Sequence, residues 1–192
     1  MAHGHGRRRG WSALVLWLAV LGVTIPTRAA SVAGTLQVSF FYAPPGAVHP
    51  TYHTAIWLED EQGRMVTTLF VSQDLSSGEY RMGEACPDWV KQAHWEKADP
   101  ALVDAVTGPT PQVGSGSLRF DLGATKLPSG HYDFRFQVHI TGGQNVLFHG
   151  PLVIGDAPQV LTLDTLYSPA RPAGATDVVR DVRVRYTPVG IR

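Results

Sequence analysis

The sequence predicts a β-sandwich interrupted by one short helix. Three observations lead there. Apolar and polar residues alternate with period two along most of the chain, proline and glycine break that alternation at short intervals, and two pairs of alternating segments are joined by short polar or glycine turns. Strands of this kind each have one face to bury, and two sheets pressed together bury both.

The first strand rests on Leu36, Val38 and Phe40, alternating with Gln37 and Ser39, and stops at Pro44-Pro45-Gly46. Thr54 to Glu59 and Met65 to Ser72 flank Asp60-Glu61-Gln62-Gly63 and form a hairpin. Pro87 to Lys97 predicts the helix: Pro87 suits a first turn, Asp88 complements the helix dipole, and Trp89, Val90 and Ala93 make an apolar stripe. Asp99 to Gly116, rich in Pro, Gly, Thr and Ser, reads as a long loop. Ser117 to Leu122 is a strand, followed by a loop closed at Pro128-Ser129-Gly130. Tyr132 to Ile140 and Asn145 to Ile154 form a second hairpin about Gly142-Gly143. A two-residue turn there sets His139 opposite Val146 and His149 opposite Phe136, so the two histidines point to opposite faces. Val160 to Leu163 is a further short strand, and Ser168 to Gly174 links to a last, edge strand over Val178 to Tyr186.

The N-terminus predicts export. Arg7, Arg8 and Arg9 precede an apolar run from Trp11 to Ile25, and small residues follow around Ala29 and Ala33, the order of a signal peptide. The run is short of the roughly 20 residues a membrane-spanning helix needs. The expected organisation is a signal peptide over residues 1–29 with cleavage between 29 and 33, a sandwich domain over 34–165, and a linker with a C-terminal strand over 166–192. The general secretory route fits better than the twin-arginine route, whose consensus is incomplete here. The mature protein is thus expected in the periplasm or outside the cell, with no stable membrane span after cleavage.

Charge and cysteine narrow the function classes. The chain has 16 Lys+Arg and 16 Asp+Glu; removing residues 1–29 takes away four arginines and no acids, which leaves 12 against 16 and a net charge of −4. No basic patch remains to neutralise phosphates, which argues against nucleic acid as a partner. Cys86 is the only cysteine, so no internal disulfide forms, and burial is its expected state. No Gly-x-Ser-x-Gly elbow is present, Cys86 has no recognisable His–Asn context, and no self-sufficient catalytic constellation emerges. Trp57, Trp89 and Trp95 read as packing residues rather than a sugar platform.

Three stretches together resemble a family of exported bacterial proteins, domain of unknown function 2271. They are Ala55-Ile-Trp-Leu-Glu-Asp60 leading to Gly63 and Val66-Thr-Thr-Leu69; Asp104-Ala-Val-Thr-Gly108; and Leu127-Pro-Ser-Gly-His-Tyr132. The resemblance implies an all-β, Ig-like sandwich outside the cytoplasm, often encoded near flavin-dependent redox components. It implies no established reaction.

Within that resemblance, Asp104-Ala-Val-Thr107-Gly108-Pro109-Thr110 is similar to the signal for covalent flavinylation, with Pro109 where alanine is usual. In proteins that carry the signal, an FAD:protein FMN transferase joins FMN to the final Ser or Thr, here Thr110. Asp104, Thr107 and Gly108 then shape the loop the transferase reads: Gly108 admits a close backbone, and Pro111 biases Thr110 toward extended conformations. The cofactor expectation is covalent FMN, with membrane redox components as partners and Trp89 or Trp95 as a surface for the flavin ring to stack on. Two alternatives stand beside it. One is a cofactor-free structural or protein-interaction module. The other is a periplasmic metal-binding protein using His49, His53, His131 or Cys86, since folding can join the three histidines.

Overall fold

The structure is a computed structural model, and it describes Met1 and residues 34–44, 50–170 and 177–190. The expected leader (apart from Met1) and its cleavage region, His49, and most of the expected linker lie outside the described residues.

Two sheets form the sandwich. The smaller contains β1 (Gly34–Tyr42), β5 (Gly114–Asp121), β8 (Gln159–Val160) and β10 (Val179–Pro188), in the order β5-β1-β10-β8. The larger contains β2 (His53–Glu59), β3 (Met65–Ser72), β4 (Thr107–Gly108), β6 (Gly130–Thr141), β7 (Gln144–Ile154) and β9 (Asp164–Ser168), in the order β4-β3-β2-β6-β7-β9. All the pairings are antiparallel except β3 with β4. The alternation seen in the sequence becomes the interior. Leu36, Val38, Phe40 and Tyr42 of β1 with Val184 and Tyr186 of β10 meet Ile56 and Leu58 of β2, Phe134, Phe136 and Val138 of β6, and Val146, Phe148 and Leu152 of β7. Each such side chain contributes about 1.5–3 kcal/mol of transfer free energy.

The predicted strands and both hairpins are present, with three departures. The last strand is no edge: β10 lies between β1 and β8, paired with β1 from Val179 to Gly34's partner Pro188, so the sandwich runs past residue 165. Of the expected Val160–Leu163 strand only Val160 is in a strand, β8; residues 161–163 are irregular and lead to β9 in the other sheet. The second hairpin has a bulge at Ile140, so His139 faces Asn145 and His149 faces Arg135. One extra residue reverses the face relation. His139 and His149 therefore share a face, four residues apart along their paired strands.

The larger correction is helical. Where a single helix and a long loop were expected, residues 73–106 carry three short α-helices, α1 (Gln73–Ser77), α2 (Pro87–Ala93) and α3 (Pro100–Val106), with 3-10 turns at Glu79–Met82 and Trp95–Lys97. The expected helix ends early because His94 turns left-handed at φ 45°. α3 starts inside the expected loop because Asp99 caps it, accepting from the Ala101 N–H at 2.9 Å, with Pro100 in its first turn.

This excursion makes a third layer. It covers the outer face of the six-stranded sheet, where Ala55, Trp57, Val71 and Leu147 pack against Leu75, Tyr80, Ala85, Cys86, Trp89 and Trp95. All seven residues of β2 are buried as a result. Three buried polar side chains of the sheet hold the layer in place. Gln137 Oε1 accepts from the Asp88 and Trp89 N–H groups at 3.1 and 3.3 Å, and its Nε2 donates to Asp88 Oδ2 at 2.7 Å. α2 needs this partner, because its N-cap Cys86 offers no side-chain cap. Asn145 accepts from the Cys86 N–H at 3.0 Å and donates to the Glu84 carbonyl at 2.8 Å. Glu59, 2% exposed, accepts from Trp57 Nε1 and Gln92 Nε2 at 2.8 and 2.7 Å and pairs with Arg135 at 3.0 Å.

Replacing Gln137 by alanine strands two buried N–H groups, and the expected loss is about 1–3 kcal/mol. Urea unfolding followed by tryptophan fluorescence measures it; a Q137A midpoint equal to wild type would remove Gln137 from this role.

Candidate functional site

One end of the six-stranded sheet gathers most of the residues that carry chemistry. Register sets them in a row. β4 pairs with β3 through Val71↔Thr107 and Ser72↔Gly108, which brings Thr110 beside Asp74. β2 begins at His53, and β6 places His139 directly opposite it. Neighbouring strands lie about 4.8 Å apart, so the row from Thr110 across to His139 spans roughly 14 Å.

At the edge, each residue of the Asp104–Thr110 segment has a defined place. Asp104 is exposed on α3. Thr107 Oγ1 bonds Ser76 Oγ at 3.0 Å. Gly108 lies over the Phe70 ring, and a Cβ there would meet Phe70 at 2.6 Å, so glycine is required for this close approach. Thr110 is half-buried; its hydroxyl donates to Asp74 Oδ2 at 2.9 Å and accepts from the Asp74 N–H at 3.3 Å. Trp89 and Trp95 are not a stacking surface. They are 0% and 6% exposed, tilted against each other at 5.1 Å, with their indole N–H groups given to Thr68 and to the Ser76 carbonyl. The ring faces expected to stack on a flavin are packed inside the layer instead.

At the far end of the row from Thr110, His53 and His139 stand ring to ring, 5.6 Å between centroids and 17° between planes. Burial lowers the pKa of both below the ordinary histidine value. For His139 the neighbouring His53 lowers it further; the carboxylates of Glu84 and Glu79 partly oppose the effect at His139, and those of Glu79 and Asp74 oppose it at His53. Nothing in the spacing of the sequence marked His139 as a partner for His53, since it depends on the pairing of β2 with β6 across a separation of 86 residues. The other metal candidates are elsewhere: His131 is exposed, eight residues along β6 from His139 and about 26 Å away. Among the described residues no three His, Cys, Asp or Glu side chains converge closely enough to hold a metal ion.

Cys86 is buried as expected. Its thiol donates to the His53 and Gln137 carbonyls at 3.4 and 3.6 Å, and burial pushes its pKa up, which keeps it a thiol rather than a nucleophile. At the opposite end of the outer face, Arg135 joins Glu59 and Asp133 at 3.0 and 2.9 Å, with His149 3.7 Å from Asp133. Glu59 is thereby neutralised; its neighbours Asp60 and Glu61 are the turn residues expected, with Asp60 paired to Arg64 at 2.7 Å.

Comparison with known proteins gives one match. The model of a family described as "Predicted periplasmic protein (DUF2271)" matches residues 45–166. No curated protein and no solved structure matches. No helix among the described residues is long and apolar enough to cross a membrane.

The histidine pair sets a pH dependence. Both folded-state values lie below the unfolded value of about 6.5, so the unfolded chain takes up these protons first and stability falls as pH drops below it. In chelator-treated buffer the urea midpoint should be level above about pH 7 and decline between about pH 6.5 and 5, with a shallower decline in H139Q. A level midpoint through that window would contradict the assignment.

Proposed function

Because the chain belongs to the DUF2271 family of predicted periplasmic proteins, we propose that it works in the periplasm as an accessory or binding module of extracytoplasmic redox systems, carrying FMN as a phosphoester on Thr110. In this reading the sandwich is an Ig-like scaffold that presents its site at a sheet edge. The observation that carries the reading is the placement of the Asp104–Thr110 segment: it runs from the end of α3 through the edge strand β4, and the acceptor hydroxyl just beyond is hydrogen-bonded to a carboxylate, Asp74, at 2.9 Å. That carboxylate takes the hydroxyl proton as the Thr110 oxygen attacks the FMN phosphorus of FAD. The phosphoanhydride breaks, the Oγ1–P bond forms, and AMP leaves. An FAD:protein FMN transferase supplies the donor and the metal. The flavin then carries the electrons, and the protein positions it. Asp104, exposed on α3, and Thr107-Gly108, fixed in β4, are the recognition elements around the acceptor.

A second reading, a cofactor-free structural or interaction module, is favoured by a specific observation. Thr107, Gly108 and Thr110 each have a structural partner in Ser76, Phe70 and Asp74, which accounts for the segment as a loop-shaping device.

Co-expression with a transferase in the periplasm separates the two. Intact-mass and peptide analysis should find one FMN on Thr110, with a fluorescent band surviving denaturation that is lost in T110A. Unmodified Thr110 under conditions that label a positive control decides for the cofactor-free reading.

A further inference from the structure

Two buried ring nitrogens at the β2–β6 end of the site row have no hydrogen-bond partner: His53 Nδ1 and His139 Nε2. The two side chains are 6% and 7% exposed, and buried polar atoms of native proteins are nearly always paired. Thr51 Oγ1 lies 3.3 Å from the His139 carbonyl and 2.8 Å from His139 Nδ1. When the single hydroxyl proton goes to the carbonyl, Nδ1–H donates to Oγ1 and Nε2 carries a bare lone pair, the tautomer that a metal ion on Nε2 selects. A histidine fixed through one nitrogen by a neighbour, with the other left as a free electron pair, is the arrangement that prepares a metal ligand.

The distance between the rings agrees. With metal–nitrogen bonds of about 2.0–2.1 Å, two imidazoles sharing one ion at a tetrahedral angle put their centroids roughly 5–5.5 Å apart. The observed separation is 5.6 Å, while the planes lie only 17° apart, so the in-plane lone pairs run side by side and metal binding requires the rings to turn about χ2 until both nitrogens converge. The surroundings suit a cation: Asp74 and Glu79 act electrostatically on His53, and Glu84 and Glu79 on His139. We propose that His53 Nδ1 and His139 Nε2 bind one divalent transition-metal ion that favours imidazole, Cu2+ or Zn2+, with Thr51 as the residue that orients His139. The protein supplies two ligands, and water or an external donor completes the shell. Cys86, whose Sγ contacts the backbone carbonyls of His53 and Gln137, packs behind the pair and is not a ligand. The site is independent of Thr110 and its modification.

Calorimetric titration of Cu2+ and Zn2+ into the protein, purified from the periplasm without a polyhistidine tag and stripped with chelator, tests it. One ion per chain is expected, with binding abolished in H53A and H139A, weakened about tenfold in T51V, and unchanged in H131A. Circular dichroism reports whether the histidine variants fold; if they do not, T51V decides. Absence of binding by the wild-type protein overturns the proposal, as does equal affinity in the wild type and T51V or in the wild type and a folded H139A.

Discussion

The outer face of the six-stranded sheet has to be covered, and the way it is covered organises the rest of the molecule. A sheet in a two-layer sandwich leaves one face to water. Here β2 is apolar or buried on both sides, with Ala55 and Trp57 directed away from the sandwich interior. The segment between β3 and β5 folds back over that face. It is too short-helixed to be stable alone, since helices of seven residues or fewer are far below the length that holds in water. Its helices persist because the sheet satisfies their ends. Gln137 caps α2 from a neighbouring strand, Asn145 takes the Cys86 N–H, and Glu59 ties Trp57 to Gln92. Apolar burial supplies the affinity of the layer for the sheet, and these polar contacts fix its register.

That constraint also builds the site. Drawing the chain from the end of β3 across the sheet and back to β4 sets Asp74 beside Thr110 and carries Glu79 and Glu84 toward the histidine pair. Cys86 is pressed into a left-handed conformation at φ 48°, with its thiol against two strand carbonyls. The same packing that protects Trp89 and Trp95 keeps them from any bound ring. The polar side chains left accessible at this end are therefore those at the rim of the layer, Thr110 and Asp74 among them, not the aromatic residues inside it.

Much of the sandwich was legible in the sequence because period-two alternation reports a face directly, as Leu36, Val38 and Phe40 do. The helical layer was only partly legible. Its α2 helix has an apolar stripe, but Gln137 and Asn145, which hold it, look like ordinary strand polar residues until the pairing is known. α3 was hidden by Pro100 and the glycines that follow it, although Asp99-Pro100 is a helix start. A bulge at Ile140 leaves no mark in composition, so the face shared by His139 and His149 was misjudged. For the site, Thr110 and His53 stood out as residue types. The pairing of His53 with His139 did not, because it arises from strand register over a long separation.

Native-state hydrogen exchange, read by mass spectrometry on peptides from the helical layer and from β6, tests most directly whether the layer is an integral part of the fold. The account predicts that the α2 amides, Val90 among them, exchange with the same opening free energy as the amides of β6. Rapid exchange of α2 through its own low-energy opening, with β6 still protected, would contradict it.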